Sequence, residues 1–201
     1  MGYAQLNAKR VAMLVADGFE QVEMTEPRKA LEAAGASVEI VSPKAGRVKG
    51  WETKEWGDEF DVDVVLSSAD VEDYDALVLP GGVMNPDKLR LLPEARAFVR
   101  AFADGGKPIA AICHGAWTLI DAGVAEGKKM TSWPSLRTDL VNAGATWVDQ
   151  EVVVDGLLVT SRKPDDIPAF NREMVAVIAR THIEATPSRR PQARPSVASQ
   201  R

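Results

Sequence analysis

A cysteine and a histidine stand side by side in the stretch IAAICHGAW, residues 109–117, and Cys113 is the only cysteine of the chain. The apolar run before Cys113 is typical of a strand buried on both faces, and a helical pattern begins just after Gly115. A side chain at such a sharp strand-to-helix turn projects above the sheet, as serine does in the nucleophile elbow. The free N–H groups of a helix start favour an anion, so we expect a lowered pKa for the thiol. The position favours nucleophilic chemistry, although a lone cysteine is more often a buried apolar residue.

Two further strand ends carry residues suited to the same chemistry. Gly81 and Gly82 follow the strand in LVLPGGVMNPD, and paired glycines let the backbone approach a ligand closely. The amide of His114 points to where an oxyanion would form, and the glycine pair can supply a second donor. Glu20 follows Gly18 in VADGFEQVE, where the alternative is a solvated turn acid. Because ligands in open α/β sheets gather at the carboxyl ends of strands, we expect these groups to share one site.

The elements that must position these groups alternate between strands and helices. Short apolar runs predict strands at residues 11–16, 37–42, 75–80 and 108–113. Amphipathic runs that end in glycine predict helices at residues 26–35, 93–106, 115–123 and 136–144. This alternation indicates an α/β fold with a mainly parallel sheet and helices on both faces.

Two regions depart from the alternation. Asp155-Gly156 lies between two β-branched runs in residues 151–161 and predicts a tight antiparallel hairpin added to the sheet. The pattern of residues 163–185 predicts a closing helix. Residues 46–63 fit no single period, and we expect a hairpin or an irregular excursion there.

Length and charge exclude several classes of protein. The 201 residues suit one domain, which we expect at residues 1–185, followed by a disordered basic tail at residues 186–201. The net charge of −5 gives no support to nucleic-acid binding, which needs a basic face. No apolar run approaches the roughly 20 residues that cross a bilayer. We therefore expect a soluble, cytoplasmic protein that binds neither membrane nor nucleic acid.

The count of metal-ligating residues also narrows the chemistry. One cysteine excludes an internal disulfide. One cysteine and two histidines, His114 and His182, argue against a zinc site, since such sites usually take three or four Cys/His ligands. We expect neither a metal nor another cofactor, so the chemistry rests on the side chains of the chain itself.

The chain closely resembles the DJ-1/PfpI family of the glutamine-amidotransferase-like superfamily, and nearest its PfpI-type branch of intracellular peptidases and bacterial general stress proteins. The similarity extends over residues 9–182. Five segments carry it: DGFEQVE, ALVLPGG, AAICHGAW, TSWPSLRTDLVNAGATWVD and EVVVDGLLVTSRKPDDIPAF. The resemblance implies a flavodoxin-like three-layer sandwich. It also implies self-association, since relatives form homodimers that sometimes assemble into hexamers.

The resemblance also assigns roles at the strand ends. It implies Cys113 as the nucleophile and Glu20 beside its sulfur as a protonated carboxyl that hydrogen-bonds the cysteine. A carboxyl buried near a thiolate has a raised pKa, which agrees with that role. The amides of Gly82 and His114 would bind the oxyanion.

Two further residues follow from the peptidase branch. There the ring of His114 would act as base, oriented by a carboxylate of a neighbouring subunit that corresponds here to Asp87. The peptidase has a glutamate at that position, and the shorter aspartate weakens the triad. Trp133 stands where the peptidase has a tyrosine, so the substrate pocket loses a hydroxyl but keeps an aromatic wall.

Three functions are compatible with this set of residues. In the first, Cys113 attacks methylglyoxal or an early sugar-type adduct on protein through a hemithioacetal, as in glyoxalase or deglycase chemistry. In the second, the chain is an intracellular cysteine peptidase that acts through an acyl-enzyme. In the third, it is a non-catalytic stress sensor or chaperone in which Cys113 reports oxidation. We favour the first, because the Asp87 substitution weakens the second.

Overall fold

A seven-stranded sheet forms the centre of the fold in the computed structural model, which describes residues 5–181. The strands of this part of the chain are β1 (Arg10–Leu14), β2 (Phe19–Glu20), β3 (Ser37–Ser42), β4 (Arg47–Glu52), β5 (Glu55–Asp61), β6 (Val64–Val65), β7 (Ala76–Leu79), β8 (Ile109–Ile112), β9 (Lys129–Met130), β10 (Thr146–Trp147), β11 (Val152–Asp155) and β12 (Leu158–Ser161). The main sheet has the order β11-β12-β8-β7-β1-β3-β6. All its neighbours are parallel except β11 and β12.

Helices cover both faces of this sheet. They are α1 (Gln21–Ala33), α2 (Met84–Leu91), α3 (Pro93–Asp104), α4 (Ala116–Asp121), α5 (Arg137–Asn142) and α6 (Ile167–Arg180). Helices α1 and α6 pack on one face, and α2 to α5 pack on the other. The molecule is therefore the flavodoxin-like three-layer sandwich that the sequence predicts.

The sequence of the central strands explains why both faces are covered. In β1, Ala12 and Leu14 belong to the core under α2 to α5, whereas Val11 and Met13 belong to the core under α1 and α6. Successive side chains of a strand point to opposite faces, so a fully apolar strand needs an apolar layer on each side. Strands β7 and β8 are likewise buried at every position.

A small second sheet stands beside the carboxyl end of β1. Strands β4 and β5 form an antiparallel hairpin, and β2 runs parallel to β4 at its other edge. A two-stranded parallel sheet of β9 and β10 lies elsewhere in the chain. Because β8, β7 and β1 are neighbours, the loops that follow them meet at one edge.

Most predicted elements are confirmed. The four strands lie within one or two residues of their expected ends, and β3 spans the predicted residues 37–42. The hairpin at 151–161 is antiparallel, as predicted, and the segment 46–63 contains the β4–β5 hairpin. The helices predicted at 93–106, 115–123 and 136–144 correspond to α3, α4 and α5.

Two helices differ from the prediction. Helix α1 begins at Gln21 rather than at residue 26. Pro27 is typical of the first turn of a helix, but here it lies inside the helix. Helix α2 was not predicted, because Asn85-Pro86-Asp87 resembles a turn. Pro86 lies in the first turn of α2, where its missing N–H would have no helical acceptor.

The chain ends lie outside the described residues. His182 and the expected tail at residues 186–201 therefore lie outside them as well. The single domain at 1–185 therefore stays a prediction. Across residues 5–181, every helix is too short or too polar to cross a lipid bilayer.

Candidate active site

Cys113 occupies a strained turn between β8 and α4. Its φ is +60°, a left-handed conformation that costs a non-glycine residue about 1–2 kcal/mol. A short 3-10 turn, Cys113–Gly115, links the strand to the helix. A side chain at Gly115 would collide with the carbonyl oxygen of Leu79, so only glycine lets the turn pack against the end of β7. The predicted strand–turn–helix elbow is present, and strain is stored at the candidate nucleophile.

Four groups surround the sulfur of Cys113, which is 7% exposed as a residue. The ring Nδ1 of His114 lies 3.3 Å from Sγ. The backbone N–H groups of His114 and Gly82 are directed toward the sulfur and lower its pKa. The carboxyl of Glu23 is the fourth group, and its negative charge raises the pKa of the thiol.

The pKa of the Cys113 thiol is raised rather than lowered, contrary to our expectation from the sequence. Burial is the main cause and the charge of Glu23 is the second. The amides of His114 and Gly82 oppose both but do not outweigh them. When Glu23 is protonated its charge disappears, and one of the two obstacles to a thiolate is removed.

Glu23 is completely buried in the first turn of α1. Its Oε2 accepts a hydrogen bond of 2.9 Å from the N–H of Gly81. Its Oε1 is buried without a hydrogen-bond partner in residues 5–181. Burial raises the pKa of Glu23 to about 8, so the carboxyl is mainly protonated at neutral pH. Glu23 and Cys113 together are called the buried pair below.

The assignment of Glu20 to the position beside the sulfur is corrected: Glu23 lies there. Glu20 ends β2, is partly exposed, and accepts a hydrogen bond of 3.4 Å from the N–H of Thr53. Its carboxyl belongs to the wall of the cavity above Cys113. The two glutamates are three positions apart in the sequence, nearly one helical turn, and it is the later one that points into the core.

His114 is buried, and burial lowers its pKa, so the imidazole is neutral at neutral pH. Trp133 stacks on the ring, with ring centres 6.0 Å apart, and Trp117 contacts it edge-on at 5.0 Å. Within residues 5–181, no carboxylate lies within hydrogen-bond distance of the ring. Asp87 is exposed on α2 and does not line the cavity. A triad completed by Asp87 from a neighbouring subunit stays a prediction.

The loop after β7 needs both of its glycines. A side chain at Gly81 would stand 2.5 Å from Oε2 of Glu23 and 2.7 Å from Cβ of Cys113. Gly82 has a φ of +74°, and a side chain there would stand 2.6 Å from the nitrogen of Glu20. The backbone can approach the buried pair this closely only because neither residue carries a side chain.

Asn85 holds this loop in place and was not predicted from the sequence. It is fully buried at the start of α2. Its Nδ2 donates to the carbonyls of Pro80 and Gly81, at 2.9 and 3.2 Å. Its Oδ1 accepts from the N–H of Ala16 at 2.7 Å. One amide side chain thus fastens the loop after β7 to the loop after β1.

A cavity of about 750 Å³ opens above Cys113. Its walls combine the loops at the sheet edge with the β4–β5 hairpin, and they include Gly18, Glu20, Glu23, Trp51, Thr53, Trp56, Gly82, Val83, Met84, Cys113, His114, Trp133 and Pro164. Trp133 lines the cavity and is 38% exposed, which leaves it free to contact a substrate. The cavity therefore presents a thiol, an imidazole and two carboxyls to a largely apolar space.

Comparison with known proteins agrees with this arrangement. The DJ-1/PfpI family profile matches residues 9–177. Bacillus subtilis YraA, which is provisionally named a cysteine protease, is 44% identical over 85% of this chain and 99% of its own length. Deglycase PH1704 of Pyrococcus horikoshii is 43% identical over 84% of this chain and 99% of its own. The crystal structure of Drosophila melanogaster DJ-1beta superposes with a TM-score of 0.77 at 31% identity, covering 85% of this chain and 90% of that one.

Proposed function

Because the chain belongs to the DJ-1/PfpI family, we propose that it is a cysteine enzyme that acts on reactive carbonyl compounds, with glyoxalase or deglycase activity. The buried pair is the observation that carries this proposal. A carboxyl with a pKa of about 8 can give and take protons near neutral pH, and it lies beside the candidate nucleophile. Deglycase PH1704, at 43% identity, adds support from a relative.

Addition of the thiol is the first step. Sγ of Cys113 attacks the aldehyde carbon of methylglyoxal and forms a carbon–sulfur bond. The neutral ring of His114 takes the thiol proton, and the carbonyl oxygen then takes this proton to give a hemithioacetal. The N–H groups of Gly82 and His114 lower the pKa of the thiol, and we propose that they also stabilise the negative charge on that oxygen.

Proton transfer and hydrolysis complete the reaction. A base removes the proton from the former aldehyde carbon, and an acid returns a proton to the neighbouring ketone carbon. The hydroxyl proton of the first carbon moves to the oxygen of the second. The first carbon is oxidised and the second is reduced, so no outside oxidant is required. The product is a thioester of lactate on Cys113, which water cleaves to lactate and the free thiol. The protonated carboxyl of Glu23 can serve as the acid and the neutral ring of His114 as the base.

A cysteine peptidase is the second candidate. The 3.3 Å contact between Nδ1 of His114 and Sγ favours it, since a neutral imidazole there can accept the thiol proton. The similarity to YraA adds support. Peptide cleavage also requires an imidazole held well enough to protonate a leaving amine, and Asp87 of a neighbouring subunit would have to orient it.

Two assays with one set of variants separate these functions. Lactate release from methylglyoxal and cleavage of a fluorescent peptide mixture are measured for the wild type, Cys113→Ser and Asp87→Asn. The carbonyl enzyme predicts lactate release that Cys113→Ser reduces to background and Asp87→Asn leaves nearly intact. The peptidase predicts peptide cleavage that both variants abolish. If neither assay exceeds the Cys113→Ser background, both proposals fail and an oxidation sensor is the remaining function.

Homodimer or hexamer assembly and a cytoplasmic location stay predictions. Light scattering of the purified chain measures the first. The peptidase proposal requires an assembly in which Asp87 of a neighbouring subunit orients His114, and the Asp87→Asn assay tests this requirement.

A further inference from the structure

Three side chains of the small sheet stand in one row beside the cavity. Glu20 of β2 is the register partner of Trp51 of β4, and Trp51 is the register partner of Trp56 of β5. Register partners on adjacent strands place their side chains on the same face of a sheet. All three residues line the cavity above Cys113. They are called the hairpin row below.

The two tryptophans of the hairpin row form an exposed aromatic surface. Their rings meet edge to face, with centres 5.5 Å apart. Trp56 is 48% exposed, although tryptophan is usually well buried. The proposed chemistry at Cys113 does not use these rings. We therefore ask which group of a ligand could bind to an aromatic face in this cavity.

The charge of the cavity indicates which group that is. Among residues 5–181, those that line the cavity include the carboxyls of Glu20 and Glu23 and no lysine or arginine. Burial and the nearby charge of Glu52 raise the pKa of Glu20, which means that its negative charge is destabilised. A bound cation would stabilise that charge. Within residues 5–181, the carboxyl of Glu20 accepts one hydrogen bond, the long one from the N–H of Thr53.

We propose that the hairpin row is a subsite for a positively charged nitrogen group of the substrate, a guanidinium or an alkylammonium. The carboxylate of Glu20 pairs with the cation, and the faces of Trp51 and Trp56 bind it by cation–π attraction. The substrate of Cys113 is then a carbonyl compound or adduct that carries a cationic nitrogen. This last step rests on the proposed function, whereas binding of a cation to the hairpin row does not.

The subsite lies on the same side of the molecule as the nucleophile. The hairpin row and the buried pair line the same cavity, and the charge of Glu20 raises the pKa of Glu23. A molecule bound at the hairpin row would therefore extend toward the buried pair, with its reactive carbonyl at the other end. Anionic carbonyl compounds would be disfavoured by the negative charge of Glu20.

Binding of a simple cation tests the proposal without any turnover. The probes are butylguanidinium and butylurea, which share size and shape but differ in charge. Each of the five tryptophans carries one indole N–H group, which nitrogen–proton NMR spectra detect. The variants Trp51→Phe and Trp56→Phe identify the signals of Trp51 and Trp56. We expect butylguanidinium to shift these two signals and to bind about tenfold tighter than butylurea.

Matched variants show whether Glu20 is responsible. Glu20→Gln is expected to weaken butylguanidinium binding about tenfold and to leave butylurea unchanged. Glu55→Gln removes one charge from the same hairpin, at an exposed position outside the cavity, and is expected to change neither. Unchanged indole signals of the free variants show that they are folded. Equal affinity for the two probes, or equal losses in both variants, overturns the proposal.

The two proposals fail separately. A chain that binds butylguanidinium at the hairpin row but releases no lactate contradicts only the carbonyl enzyme. A chain that releases lactate but binds both probes equally contradicts only the cation subsite.

Discussion

Glu20 and Glu23 are three residues apart and have the same side chain, yet the molecule gives them different properties. Glu23 is completely buried, and burial raises its pKa to about 8. Glu20 is partly exposed to the cavity, and its pKa is raised less strongly. The buried pair is thus suited to proton transfer, whereas the hairpin row is suited to binding charge. The two side chains are chemically identical, so their different properties come from their different depth below the surface.

Replacement of Glu23 by glutamine is the strongest test of the buried pair. Glutamine keeps an acceptor for the N–H of Gly81 but cannot give up a proton. We expect kcat for lactate release to fall about 10²- to 10⁴-fold, the usual contribution of a general acid–base group. Glu26→Gln removes a carboxyl from the next turn of α1, where it contacts Lys29, and serves as the control. Activity of Glu23→Gln within threefold of the wild type would assign the proton transfer to His114.

The raised pKa of Glu23 also predicts how stability depends on pH. The folded state binds this proton more tightly than the unfolded state, whose carboxyl has the ordinary value of 4.5. The stabilisation relative to Glu23→Gln is therefore complete below pH 4.5 and is lost as pH rises toward 8. Between pH 5 and 7.5 we expect the wild type to lose roughly 3 kcal/mol more than Glu23→Gln.

Urea unfolding of both proteins at several pH values measures this difference. The free energies of unfolding of wild type and variant are compared at each pH, so that other titrating groups cancel. Parallel curves would show that Glu23 titrates normally in the folded chain, and the contrast with Glu20 would disappear.

The sequence predicted the location of the site, at the carboxyl edge of the sheet, more accurately than the identity of the residues that lie there. Cys113 was predicted correctly at the elbow because a fully apolar strand and a glycine-ended helix lie on either side of it. Glu23 was not predicted, because Pro27 resembles a helix start and hid the first turn of α1 from the pattern. With α1 begun at Gln21, Glu23 falls on the same stripe as Pro27, Ala30 and Leu31, all buried. A charged residue on an apolar stripe is the signal that could have found it.

The hairpin row could not be predicted in the same way. Trp51 and Trp56 lie in a segment without a clear period, and only the pairing of β2, β4 and β5 brings them into register with Glu20. Asn85 is a similar case, since its three partners lie in two loops separated by more than sixty residues. Contacts of this kind depend on tertiary structure, so the spacing of residues in the sequence does not reveal them.

Removal of the Asn85 side chain tests whether the loop beside the buried pair depends on it. Asn85→Ala leaves one N–H and two carbonyl groups buried without their partner. We expect a loss of about 2 kcal/mol in the free energy of unfolding, together with slower alkylation of Cys113 as the loop relaxes. Asn142→Ala, at an exposed position, is the matched control. Equal stability of the two variants would mean that water replaces the lost hydrogen bonds.

The smallest expected effect links the two regions directly. The negative charge of Glu20 raises the pKa of Glu23, so Glu20→Gln should lower that pKa. The shift is expected to be less than about one pH unit, because a partly exposed charge is screened by solvent and salt. The rate of Cys113 alkylation by iodoacetamide, followed against pH, measures it for the wild type, Glu20→Gln and Glu55→Gln. A displacement toward acid in Glu20→Gln alone shows electrostatic coupling between the hairpin row and the buried pair. An unmoved profile, or equal movement in Glu55→Gln, shows that the two regions act independently, and a cation bound at Glu20 would then leave the proton of Glu23 unaffected.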